Sequence, residues 1–207
     1  MKRITTHSPL GFSLLVAILI AAAGCGAKKS VQRIETDTTV DLSGRWNDTD
    51  SRQVSEAMIK DCLNHPWITR HTTLSEGKRP AVIVGAIRNR SMEHIAIATF
   101  INDIERALIN SGLVRVVASA NERGELRAEK ADQEQFASTE TIKKMGHEHG
   151  ADYMMTGQIN TIEDREGGEQ ITFYQIDLTL TDIETNEKIW PGQHKIKKYI
   201  ERSRSAF

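Results

Sequence analysis

Ala81-Val82-Ile83-Val84-Gly85-Ala86-Ile87 is the stretch that decides the fold of this chain. It is an almost continuous apolar run, with no polar residue breaking it. A strand of this kind is covered on both faces, as strands are in sheets flanked by helices. The segment that follows agrees. Ile97, Ile101, Ile104 and Leu108 fall at i, i+4, i+7 and i+11, which lines one face of a helix expected over 93–111. Phe100 widens that stripe, and Gly112 stands where a C-cap glycine belongs. A short apolar run over 113–118 reads as a second strand.

Working outward, residues 48–63 read as a first helix, capped by Asp48 or Asp50 and stopped at Asn64-His65-Pro66. Residues 69–79 read as a loop. A charged, solvated helix is expected over 121–131. Another opens at Ser138 or Thr139 and ends at Gly150. The third strand is expected over 151–162. Residues 170–182 alternate cleanly: Tyr174, Ile176, Leu178 and Leu180 face one way, and Gln175, Asp177, Thr179 and Thr181 the other, giving one wet face. Hairpin connections are expected at 164–168 and 184–187, a last strand at 188–194, and a frayed basic tail from Lys195. Early parallel crossovers followed by a meander predict an α/β fold, a small mixed four- to five-stranded sheet flanked by helices. No internal repeat at a solenoid period is visible.

The N-terminus carries a different kind of signal. Lys2 and Arg3 precede thirteen uncharged residues, 11–23, which end in Ala22-Ala23-Gly24 and then Cys25. That is the layout of a secretory signal, too short to span a bilayer. A cysteine directly after the small residues resembles the lipobox of bacterial lipoproteins, although Ala22 stands where leucine is more usual. The resemblance implies cleavage between Gly24 and Cys25, a lipid on Cys25 that would incorporate palmitate, and stable anchoring by more than one acyl chain. The expected organisation is a signal peptide over 1–24, a flexible polar tether over 25–47 and a globular domain over 48–207.

Hydrophobic residues make up 39% of the chain and charged residues 27%, which suits a domain with a substantial core. The signal holds two of the 27 basic residues and none of the 28 acidic ones, so the remainder carries about −3. A nucleic-acid binder would show a basic excess, and none is expected as a partner. No later apolar run approaches the length of a membrane span. If Cys25 is lipidated, Cys62, the second of two cysteines, has no disulfide partner. Val54, Met58 and Cys62 recur every four residues, so Cys62 is expected as a buried, inert thiol.

Catalytic and metal signatures are missing. His147-Glu148-His149 puts its histidines at i, i+2 near a helix end, on opposite sides, and is not read as a metal site. There is no nucleophile elbow, no S-x-x-K, no phosphate loop and no H-E-x-x-H, so no enzyme activity, cofactor or catalytic residue is expected. Binding remains. Arg88-Asn89-Arg90-Ser91 stands at the C-terminal end of the apolar strand, where loops of such sheets commonly form binding sites. Arg88 and Arg90 offer planar donors to a carboxylate, and Arg88, Asn89 and Arg90 are the candidate partner-binding residues. The alternative is a solvated loop in which Asn89 or Ser91 caps the helix.

These features occur together in one order: the lipobox at Cys25, a Thr-rich tether, the helix around Asp50-Ser51-Arg52 and the strand ending in Asn89-Arg90-Ser91. Asn110-Ser111-Gly112, Val114-Arg115-Val116-Val117, Gly150-Ala151-Asp152-Tyr153 and Thr185-Asn186-Glu187-Lys188-Ile189-Trp190 follow. The series resembles the LpoB-type outer-membrane lipoproteins that activate penicillin-binding proteins. The resemblance implies a fold like the TolB N-terminal domain and a monomer held by lipid in the outer membrane, facing the periplasm. It also implies docking on a class A penicillin-binding protein, with stimulation of peptidoglycan synthesis. One departure stands out: better-known members carry a long Pro-rich tether, and residues 25–47 contain no proline. A second reading is a curli-export type of assembly lipoprotein, but no segment shows the repeated membrane-hairpin alternation that a pore needs.

Overall fold

The computed structural model describes residues 30–136 and 150–201. The signal peptide, Gly24 and Cys25, the helix expected from Ser138 or Thr139, and His147-Glu148-His149 lie outside the described residues. The chain divides into two units, 1–38 and 39–207. In the first, residues 30–38 are irregular apart from a turn in which Thr38 N donates to Glu35 O. The second begins at Thr39, ahead of the expected domain start at Asp48, and carries everything that follows.

Helix α1 spans Asp48–Asn64. Its cap is Asn47, not Asp48 or Asp50: Asn47 Oδ1 accepts from Asp50 N at 3.1 Å, and Asp50 Oδ2 accepts from Asn47 N at 2.9 Å. Asp50 is therefore the reciprocating half of a capping box. Val54, Met58 and Cys62 are buried as their spacing predicts, with Ile59 beside them. Burial pushes the Cys62 thiol up to about 12, so it stays protonated.

The segment expected as a loop forms a second helix, α2, over Trp67–Leu74. It is only eight residues long and three of them are threonine, so its apolar side is brief. Two residues override that: Trp67 and Ile68 are buried, and Trp67 Nε1 donates to Cys62 O at 2.8 Å. Pro66 at the N-cap lacks only a donor that a helix start cannot use.

Strand β1 spans Ala81–Asn89, and its first four residues are all buried. Helix α3 spans Ile97–Asn110, starting a turn later than expected because residues 89–93 make their own hydrogen-bonded turn. Phe100, Ile104 and Leu108 form its innermost line, with Ile97 and Ile101 on the flanks. Each such side chain contributes about 1.5–3 kcal/mol by leaving water. Gly112 ends the helix at φ +67°, the left-handed conformation expected there. Strand β2 is only Arg115–Val116, and helix α4, Ala120–Phe136, buries no residue.

The meander is longer than expected. Strand β3 spans Tyr153–Glu166, β4 spans Glu169–Asp182 and β5 spans Lys188–Glu201. The first hairpin turns on Gly167 and Gly168 alone, both with positive φ (58° and 104°), as a two-residue primed turn requires. Tyr174, Ile176, Leu178 and Leu180 are buried, and their neighbours face outward as the alternation predicts. The tail expected to fray from Lys195 is instead the second half of β5, paired with β4 up to Glu201. His194, Ile196, Lys198 and Ile200 alternate inward against exposed Lys195, Lys197 and Tyr199.

The five strands run in the order β2-β1-β3-β4-β5. β1 is parallel to β2 and to β3, and the rest are antiparallel. This is the mixed α/β sheet with flanking helices that the patterning predicts. Helices α1 and α3 pack together, α1 against β5 and α3 against β1. All three tryptophans of the chain point their N–H at α1: Trp46 to Ser51 Oγ (2.7 Å), Trp67 to Cys62 O, and Trp190 to Asp61 Oδ2 (2.8 Å). No helix among the described residues is long and apolar enough to cross a membrane.

Candidate functional site

Strand β1 ends beside β3, where Asn89 sits opposite Ile159 and Arg90 N donates to Ile159 O at 2.8 Å. The chain must then turn away toward α3. Asn89 makes that turn. Its Nδ2 donates to Glu93 O (2.7 Å), and its Oδ1 accepts from Ser91 N (2.9 Å) and Ser91 Oγ (2.6 Å). An Asn side chain standing in for backbone is the usual chemistry of such a turn. Helix α3 begins only at Ile97, and Ala96 at its N-cap makes no side-chain cap, so neither Asn89 nor Ser91 caps it. Arg88 and Arg90, two residues apart, are both exposed, and neither guanidinium has a partner among the described residues. Of the three sequence candidates, two face solvent and the third shapes the backbone that presents them.

Glu93 fixes the turn to the core. Its Oε1 accepts from Tyr174 OH (2.9 Å) and its Oε2 from Trp46 N (2.9 Å). Burial, and then the bond to Glu93, hold the Tyr174 hydroxyl far above its usual range, so it remains a donor. Trp46 stacks edge-on against Tyr174 (5.5 Å between centroids) and Phe100 (6.5 Å). Sequence reasoning missed Trp46, Glu93 and Tyr174 as one unit. A signal was there: Trp46 precedes the N-cap Asn47, where a bulky residue reaches the first turn of a helix as a staple.

A groove of about 630 Å³ opens between this turn, residues 42–45 and the far end of β3–β5. Leu42 and Met92 line it while 94% and 91% exposed. Ile200, Arg45, Glu163 and Arg165 complete its walls, with Arg165 paired to Glu163. Leu42 and Met92 thus present apolar surface to solvent beside the exposed Arg45 guanidinium.

A second concavity, of about 490 Å³, lies between α2 and the β4–β5 connection, with Asp182, Glu184 and Glu187 on its rim. His71 Nδ1 lies 3.0 Å from Tyr153 OH, and Nε2 lies 3.8 Å from Asp152 Oδ2. Asp152 is occupied in accepting from Ala81 N at 2.7 Å. Burial raises the Tyr153 phenol, aided by the charges of Asp182 and Asp152, which leaves it protonated and a poor nucleophile. Among the described residues no three His, Cys, Asp or Glu side chains group as metal ligands.

Comparison with known proteins gives the family. No curated protein matches the chain. Among solved structures, the chain is similar to the LpoB C-terminal domain from Salmonella enterica, at 15% identity, TM-score 0.38, and coverage of 74% of this chain and 99% of that one. It is also similar to E. coli LpoB determined by NMR, at 12% identity, TM-score 0.39, and coverage of 97% and 90%. Lipoprotein GNA1162 from Neisseria meningitidis is similar at 14% identity, TM-score 0.36, over 61% and 88%. The family described as "Peptidoglycan-synthase activator LpoB" matches residues 50–196, from the first turn of α1 to the middle of β5. The chain belongs to the LpoB family of peptidoglycan-synthase activators.

Proposed function

We propose that this protein is a lipid-anchored regulator that docks on a class A penicillin-binding protein and stimulates its synthesis of peptidoglycan. The observation that carries the reading is the family match over residues 50–196, which takes in almost every element of the domain. In this reading Cys25 carries the lipid after cleavage behind Gly24. The anchor lies in the outer membrane, and the domain works as a monomer in the periplasm. The exposed pair Arg88 and Arg90, either side of Asn89 where β1 gives way to the turn, supplies part of the contact. The action is allosteric: the domain must bind the active form of the synthase more tightly than the idle one, because equal affinity for both would shift nothing.

The test uses the mature chain carrying Cys25→Ser and a purified class A synthase, with the rate of glycan polymerisation as readout. A saturable rise in rate is expected, with Arg88→Glu/Arg90→Glu needing about tenfold more protein for half the effect. A rate unchanged at saturating domain overturns the reading. Labelled palmitate should mark the wild-type chain in cells and not the Cys25→Ser chain.

A further inference from the structure

We infer that the groove between Leu42 and Met92 is the seat of the partner, and that it takes a protein segment presenting an apolar side chain next to a carboxylate. The inference deepens the activator reading and rests on it.

Three parts of the chain build this groove: residues 42–45 just before α1, the Met92-Glu93 end of the β1 turn, and the tip of the β3–β5 meander. They are far apart in sequence, yet all are tied down. Tyr174 OH and Trp46 N both bond Glu93, which joins the turn to the segment before α1. Lys198 Nζ donates to Arg45 O at 3.1 Å and to Asp41 Oδ1 at 3.1 Å, which joins that segment to β5. The walls are thus pre-ordered, and a partner need not supply the cost of ordering them.

The lining specifies the occupant. Leu42 and Met92 are almost wholly in water and line one hollow, so an apolar side chain seated there would remove both from solvent. The acidic groups of the groove are already engaged, Glu93 by Tyr174 and Trp46, Glu163 by Arg165. The Arg45 guanidinium is exposed and has no partner among the described residues. A free guanidinium beside two exposed apolar side chains fits a carboxylate beside an apolar anchor. Peptidoglycan offers carboxylates but little apolar surface, so a protein segment fits better.

The experiment measures half-maximal stimulation of glycan polymerisation by the mature Cys25→Ser chain and its variants. Leu42→Ser/Met92→Ser is expected to raise the half-maximal concentration at least about tenfold. Arg45→Glu should raise it to a similar degree, and Arg45→Lys much less. Because these side chains are exposed, thermal unfolding should be unchanged, and Lys195→Ala on the far face should behave as wild type. Wild-type stimulation with no change in any groove variant overturns the inference while leaving the activator reading intact. So does a dimer of the chain, or cosedimentation with purified cell wall, that is lost in the same variants. No stimulation by the wild type sinks the parent reading instead.

Discussion

Lys198 Nζ lies 2.6 Å from Asp50 Oδ2, closing an ion pair between β5 and the first turn of α1. The lysine side chain is 12% exposed and the aspartate 6%, so water screens the pair little. Asp50 thereby does two things at once. It completes the capping box with Asn47 and receives a charge from the strand that the sequence marked as a frayed end.

Removing one member of such a pair strands the other. Lys198→Met keeps the aliphatic stem but leaves the Asp50 carboxylate buried without its counter-charge, and should cost about 3 kcal/mol in urea unfolding. Adding Asp50→Asn should recover most of that loss, since an amide oxygen still accepts from Asn47 N. A loss below about 1 kcal/mol for Lys198→Met would mean that the pair behaves as a surface contact.

The same lysine sets the acid response of Asp41. Its hydrogen bond, followed by that from Asn47, holds the Asp41 carboxyl below its ordinary 3.8. The folded-state value is depressed, so the stabilisation is present above the unfolded value and is lost as pH falls through the folded one. At 54% side-chain exposure the effect on stability is small, and the titration itself is the better readout. Carbon-detected NMR should place the Asp41 midpoint below 3.8 in the wild type and higher in Lys198→Met. An unmoved midpoint would assign the shift to Asn47.

Gly192 is held glycine by a neighbour. A Cβ there would run into the indole of Trp190 two residues back on the same face of β5. That ring is 1% exposed and pinned through Nε1 to Asp61 on α1, so it has nowhere to retreat. Gly192→Ala should therefore cost about 1–3 kcal/mol, the usual range for overpacking. Denaturant melts would measure it, with a red shift of tryptophan emission as the indole leaves its pocket. A neutral substitution would show that the ring can move.

The elements with strong periodicity were readable in advance. β1, the α3 stripe and the alternation of β4 all follow from spacing, because burial on one face dictates which residues recur. What spacing did not reveal was structure held by one or two residues. Helix α2 forms on the burial of Trp67 and Ile68 in a short, Thr-rich segment. The second half of β5 alternates, but its lysines disguise the pattern, since one of them, Lys198, faces inward to a partner far away in sequence. Arg88 and Arg90 are candidates because they stand at the end of an obvious strand. Leu42 and Met92 gave no such signal, because nothing local says that a leucine in a polar segment will line one groove with a methionine fifty residues on.

Every indole in the chain donates to α1, at Ser51, Asp61 and Cys62. Intrinsic fluorescence is for this reason a spectrometer aimed at one helix. It will register α1 lifting off the sheet under any stress, and it will stay dark to events confined to α4, whose seventeen residues hold no tryptophan and include none that is buried.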